Sequence, residues 1–360
     1  MVRWDVAVVG GGPAGLAAAI AARRKDLSVA VFEGISTPGP IDKCCGEGLM
    51  PDAIDALRSL GIVLPPSAAA PLAGIRFLDG GCCAEARFPE QKGAGVRRTV
   101  LHALLEEKAR DLGVVLFRNH PVRDLASVQT RWIVAADGAQ SALRRVAGLE
   151  PERACPQRFG TRLHFRVEPW ADLVEVYWTR GAQAYVTPVA GGQIDVAIVS
   201  REARRFHEML PLFPILREKL SRAEASSAVR GGVTASRTLP RVTRGNFALI
   251  GDASGSVDAV TGLGLSLAFQ QAKALADALG DGDLSRYAAA HRRISRIPRV
   301  MEALMLTMDR HDRFRRRAIR ALDAEQGHFS CLLAVHNGAS LGLGSGLRIP
   351  LALGWRFLTV

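Results

Sequence analysis

Short apolar runs punctuated by glycine open this chain. Residues 4–9, Trp-Asp-Val-Ala-Val-Val, predict a strand buried on both faces. A tight turn over Gly10–Gly15 follows, then an Ala-rich helix over 16–24 and a second strand over 28–32 that ends at Glu33. Strand, turn, helix and strand in this order make a compact βαβ unit. Pro51 suits the first turn of a helix that runs to about Leu60. Alternation over 72–88, with Asp79-Gly-Gly at its middle, predicts a hairpin. Leu101, Leu104, Leu105 and Ala109 recur at helical spacing and predict a helix over Arg98–Asp111.

Strands are expected at 114–117 and 132–136, then at 159–167, 173–178, 183–189 and 193–199. Short helices over 203–221 and a strand over 229–236 close this β-rich stretch. An apolar strand over 246–250 and a long apolar helix over 264–279 return the chain to its first pattern. The remainder is helical and basic, then rich in Gly and Leu. A chain of 360 residues exceeds what one core usually supports, so two interleaved domains are expected. At 48% hydrophobic residues there is ample material to fill them.

No run of 18 apolar residues is present, and the first strand starts by Trp4. A cytoplasmic protein, or one peripheral to a membrane, is therefore expected. The six cysteines include the vicinal pairs Cys44-Cys45 and Cys82-Cys83, without CxxC spacing or a matching His cluster, so no metal site is expected. Net charge is +12, but residues 286–320 hold eleven Arg against Glu302, Asp309 and Asp312. Most of the excess is thus local, no nucleic-acid motif accompanies it, and nucleic acid is not expected as a partner.

Two glycine-rich turns carry the candidate chemistry. In Gly10-x-Gly12-Pro13-Ala14-Gly15, the first Gly permits the tight turn, the second lets backbone approach a pyrophosphate, and the third lets helix and strand pack closely. Glu33 stands where an acid accepts hydrogen bonds from an adenosine ribose. Late in the chain, Gly251-Asp252 follows a buried strand, and Gly262 and Gly264-Leu265 open the next helix. A carboxylate at Asp252 can hold a ribityl hydroxyl, and the glycines leave room for a ring. Together the two turns point to FAD.

These motifs, with Asp137-Gly138-Ala-Gln-Ser141 between them, resemble the flavoprotein superfamily of aromatic hydroxylases, geranylgeranyl reductases and flavin-dependent halogenases over roughly residues 4–280. The resemblance implies an α/β fold: a Rossmann-type, glutathione-reductase-like FAD domain (1–154 and 241–285), an inserted antiparallel β-sheet substrate domain (155–240), and a helical basic C-terminal segment (286–360). It implies that Arg98 and Asp137 contact FAD. Lys43-Cys-Cys45-Gly46-Glu47-Gly48 resembles the Cys-Gly loop of the geranylgeranyl reductase branch, which lies against the flavin. Ala184-Tyr185-Val-Thr-Pro188 resembles that branch's substrate-side strand without its intervening aromatics. The Trp-x-Trp-x-Ile-Pro strand of halogenases is missing, and Trp170 and Trp178 are too far apart to replace it.

The expected function is that of an FAD-dependent oxidoreductase, a monooxygenase or dehydrogenase, acting on an apolar aromatic, polyketide-like or isoprenoid-like molecule. The alternatives are a double-bond reductase and a flavoprotein acting on another polypeptide. NAD(P)H would serve only as a transient electron donor, since no second GxGxxG is present. Cys45 is either a proton donor or a small residue packed under a ring. Glu47 is either a general acid or a loop anchor. Tyr185 is a third catalytic candidate. His164, Trp178 and Tyr185 are expected to face substrate. The Arg-rich stretch with Met301, Leu304, Met305 and Met308 is either a docking surface, for anionic lipid, a carrier protein or a polypeptide substrate, or a helix packed on its own domain.

Overall fold

The computed structural model describes residues 4–89, 92–124, 128–151, 156–324 and 326–338. A six-stranded sheet runs, in spatial order, Thr243–Arg244, Phe247–Leu249, Thr130–Ala135, Trp4–Val9, Val29–Phe32 and Val115–Phe117. The four strands around Trp4–Val9 and the outer Val115–Phe117 are parallel. Val6, Ala7 and Val8 are fully buried, as a strand covered on both faces requires. Helix Pro13–Arg23 packs on helix Gly264–Asp281 through an Ala-rich surface, and helix Arg98–Asp111 lies beside it. The helix expected over 16–24 thus starts three residues earlier, at the proline that needs no N–H partner.

An eight-stranded sheet forms the second layer. Its order is Glu224–Ala225, Gln157–Arg166, Gln193–Ser200, Ala182–Val189, Leu173–Thr179, Gly74–Asp79 and Cys82–Arg87, and Arg230–Ala235 also pairs with Gln157–Arg166. The hairpin over Gly74–Arg87 therefore belongs to this sheet, although it precedes residue 155 in the chain. It joins by parallel pairing of Gly74–Asp79 with Leu173–Thr179. One sheet face packs its Leu163, Val186, Ile194 and Val196 against helices Phe206–Met209 and Pro214–Lys219. The other face looks toward the first domain.

Three helices end the described chain: Leu284–Arg310, Asp312–Ala324 and Gln326–His336. Met305 and Met308 are buried against Ile319, Phe329 and Trp178, so this methionine face docks on the protein itself. Ile297, Val300 and Leu304 on the same long helix are exposed. Arg315, 1% exposed, donates through Nε to Asp79 Oδ2 at 2.8 Å and so ties these helices to the hairpin. No described helix is long and apolar enough to cross a membrane.

Candidate active site

The site begins at two helix starts that no side chain caps. Gly10 has φ +111°, and a Cβ on Gly15 would fall 1.9 Å from the Gly10 carbonyl oxygen. Those two glycines let the first turn close on itself. Gly12 differs, because a Cβ there would meet nothing within 4 Å. It precedes helix Pro13–Arg23, whose first N–H groups have no capping side chain to donate to. Gly262, with φ +67°, and Gly264 likewise face open space at the uncapped start of Gly264–Asp281. Both helix starts border one cavity of about 320 Å³. Unsatisfied N–H groups and the positive helix ends favour an anion there.

Asp252 enters this cavity from the strand Phe247–Leu249 through Gly251, which sits at φ +61°. Its side chain opens onto the cavity, yet protein surrounds it, and this burial raises its carboxyl pKa against the lowering influence of Arg98, Lys43 and Arg237. Buried histidines brace the neighbouring turns. His291 Nε2 lies 2.9 Å from Ser254 Oγ, which donates to the Gly251 carbonyl at 2.8 Å. His336 Nε2 donates to the Thr261 carbonyl at 3.1 Å. Burial lowers both imidazoles to about 4.

The loop carrying Lys43 to Gly48 forms another wall. Burial pushes the Cys45 thiol up and the Cys44 thiol to about 12, so neither is poised as a thiolate. Cys45 Sγ accepts from the Glu47 N–H at 3.4 Å. Glu47 takes the left-handed backbone conformation at φ +55° and is 2% exposed. Its Oε1 accepts from the Arg98 N–H at 2.8 Å, and its Oε2 lies 2.7 Å from His164 Nε2. Arg98 also borders the cavity, and its buried Nε has no partner among the described residues. Tyr185 lines the cavity and donates to the Val260 carbonyl at 2.8 Å; burial raises its hydroxyl pKa.

The cavity gathers Gly12, Pro13, Ala14, Lys43, Cys45, Gly46, Glu47, Arg98, Tyr185, Gly251, Asp252, Gly262, Gly264 and Leu265 from the sequence-derived candidates. Four candidates do not fit as expected. Asp137 caps the short helix Ala142–Val146, accepting from Ser141 Oγ at 2.5 Å and the Leu143 N–H at 3.2 Å; Gly138 and Ala139 border the cavity instead. Glu33 spends one oxygen on the Gly11 N–H and the other on the Ile35 N–H, both at 2.7 Å, beside a narrow cleft. His164 is fully buried behind Glu47 and does not line the cavity. Trp178 packs edge-on against Phe77, 5.8 Å between ring centres, under the C-terminal helices.

Val174, Ala197, Val199, Val233 and Val257 line the cavity without having been singled out from sequence. Apolar residues in strands and their connecting loops carry no signal that separates a pocket wall from core.

Open backbone at Gly12, Gly262 and Gly264, two uncapped helix starts and the unpartnered Arg98 Nε fit a long anionic cofactor with a polar ring. Fold and cavity together are those of an FAD-dependent oxidoreductase, and the chain is similar to flavoproteins of several reductase and oxygenase families. The family model for pyridine nucleotide-disulphide oxidoreductases matches residues 4–160. The chain is 27% identical to a menaquinone reductase of Mycobacterium tuberculosis, with 78% of each chain covered. It is 29% identical to digeranylgeranylglycerophospholipid reductase 1 of Methanopyrus kandleri, covering 74% of this chain and 78% of that one. Its fold matches a flavoprotein/dehydrogenase of Cytophaga hutchinsonii at a TM-score of 0.80 and 16% identity, covering 99% and 100%.

Proposed function

We propose that this oxidoreductase reduces a carbon–carbon double bond in the polyprenyl chain of a lipid-like molecule. The observation that carries this reading is the wall that the large sheet gives to the cavity. Gly160, Val174, Tyr185, Thr187, Ala197, Val199 and Val233 make it, and none bears a charge. An apolar wall of this kind suits a hydrocarbon chain, which needs shape and dryness rather than hydrogen bonds. The reductase reading therefore moves ahead of monooxygenase chemistry on an aromatic. The similarity to proteins named menaquinone reductase and digeranylgeranylglycerophospholipid reductase supports the same choice.

Bound FAD would supply the hydride. Gly12, Ala14 and Gly264 would hold its anionic and ring portions through backbone N–H groups, and Asp252 would accept a hydroxyl. Glu47, which lines the cavity, would donate the proton to the second carbon. Cys45 keeps its proton and packs beside it. Lys43 and Arg98 offset negative charge. A substrate of this class resides in a membrane. Ile297, Val300 and Leu304, set among the arginines of Leu284–Arg310, would meet an anionic lipid surface peripherally.

The test is a single turnover without oxygen. Photoreduced protein is mixed with a geranylgeranyl lipid or a polyprenyl quinone, and the product is weighed by mass spectrometry. A gain of two hydrogens in the chain is expected. Unchanged chains, together with oxygen insertion into aromatic compounds under air, would overturn the reading.

A further inference from the structure

Behind the Cys45–Glu47 loop lies a buried polar cluster whose His164 and Asp195 reach the cavity only through Glu47. His164 and Asp195 pair directly across two strands of the large sheet. Both are 0% exposed. His164 Nδ1 lies 2.7 Å from Arg162 Nη1 and 3.3 Å from Arg97 Nη2. A guanidinium can only donate, so Nδ1 accepts and the ring proton sits on Nε2. That Nε2 faces Glu47 Oε2 at 2.7 Å and Asp195 Oδ1 at 3.7 Å. Both oxygens of Asp195 lack a hydrogen-bond partner among the described residues.

Charge counting decides the protonation. Arg97 and Arg162 bring two positive charges. Glu47 bonds the imidazole, and Asp42 bonds Arg162 while also reaching the exposed Arg230 at 3.0 Å. Those two carboxylates offset Arg97 and Arg162, while the charge of the half-exposed Arg230 is screened by solvent. An ionised Asp195 would be a third, fully buried carboxylate without a hydrogen-bond donor, which is costly. Cys44 and Cys45, the remaining titratable groups nearby, are neutral thiols, and burial together with Glu47 raises Asp195 well above the ordinary carboxylate range. The ligand-capable atoms of Glu47, His164 and Asp195 lie within 4.8 Å of one another, but two adjacent guanidinium groups and a protonated Nε2 oppose a cation there.

We propose that Asp195, His164 and Glu47 store one exchangeable proton and deliver it to the cavity at Glu47. The transfer balances without electrons. The His164 Nε2–H bond breaks as a Glu47 Oε2–H bond forms, and the Asp195 Oδ1–H bond breaks as Nε2–H is remade. Glu47 ends neutral at the cavity edge and Asp195 ends ionised. The cluster recovers when a solvent proton enters through the cavity at Glu47 and the two transfers run in reverse. Asp195 and His164 are positioning residues that act through Glu47. The use of this proton rests on the reductase reading above, whereas its storage does not.

Infrared spectroscopy of the FAD-loaded protein tests storage without any substrate. At neutral pH, a protonated-carboxyl band is expected that shifts when aspartate is isotope-labelled and disappears in Asp195→Asn. The labelled wild-type protein keeps the test valid if the variant fails to fold. In single turnover, Asp195→Asn is expected to slow double-bond reduction at least tenfold, most strongly above neutral pH, with FAD content unchanged. Absence of any aspartic-acid band, or a band whose intensity is unchanged in Asp195→Asn, overturns the proposal. So does a stoichiometric metal ion found at the cluster by elemental analysis. A band that behaves as expected in a protein that reduces no polyprenyl chain would leave the proton store standing and remove the proposed function.

Discussion

Two glycines three residues apart should fail in opposite ways when given a methyl group. Gly12 has φ −70° and ψ 176°, a conformation open to any residue, and its Cβ would have no neighbour within 4 Å. Gly12→Ala should therefore leave the apoprotein as stable as wild type, or more stable by about 0.4–1 kcal/mol through the unfolded chain. The same methyl would stand where a pyrophosphate approaches the helix start. Losing one backbone bond to an anion costs about 1.5–3 kcal/mol, or roughly ten- to hundredfold in Kd for FAD. At Gly15 the Cβ would sit 1.9 Å from the Gly10 carbonyl oxygen and 3.2 Å from Ala136 Cβ. Gly15→Ala must push strand and helix apart, at about 1–3 kcal/mol or more. Thermal melts of both apoproteins and fluorescence titration with FAD separate the two effects. Equal melting losses in both variants, or wild-type FAD affinity in Gly12→Ala, would contradict these distinct roles for the two glycines.

Asp252→Ala should weaken FAD retention about tenfold, the value of roughly one hydrogen bond to a charged group, read as flavin content after dialysis. Cys45→Ala should keep its FAD and turn over within about threefold of wild type if the thiol only packs; complete loss of turnover with full flavin content would assign it chemistry. His291 and His336 are held near 4, whereas an unfolded imidazole titrates near 6.5. As pH falls, the unfolded chain takes up protons first. Stability is therefore complete above about 6.5 and is lost progressively down to about 4, by up to about 3 kcal/mol for each histidine. Urea midpoints measured across that range should flatten in His291→Gln, and an unchanged slope would contradict the burial argument.

Much of the fold was legible because its signals are local. The apolar run at 4–9, the glycine turn and the Ala-rich helix marked the first βαβ unit, and leucine spacing marked Arg98–Asp111 at both ends. Long-range pairing was not legible. Nothing in Gly74–Asp79 announces a parallel neighbour at Leu173–Thr179, about a hundred residues on. Side-chain direction was also hidden. Leu173–Thr179 is buried almost throughout, so no alternation showed that Val174 faces the cavity while Trp178 lies under the C-terminal helices. Asp137 resembled a cofactor ligand, but Ser141 and Leu143 lie within reach of its carboxylate and claim it as a cap. Glu47 could be placed in an active-site loop, yet its link to His164 and Asp195 spans three separate segments, which sequence spacing does not encode.

In the proposed reaction an apolar double bond, held against the large sheet, accepts the reducing equivalents. The most direct measurement mixes anaerobically reduced protein with two matched lipids that differ only in chain unsaturation and follows flavin absorbance. The unsaturated lipid should reoxidise the flavin within one turnover while the saturated lipid leaves it reduced. Equal reoxidation by both, or by neither, would contradict double-bond reduction at this site.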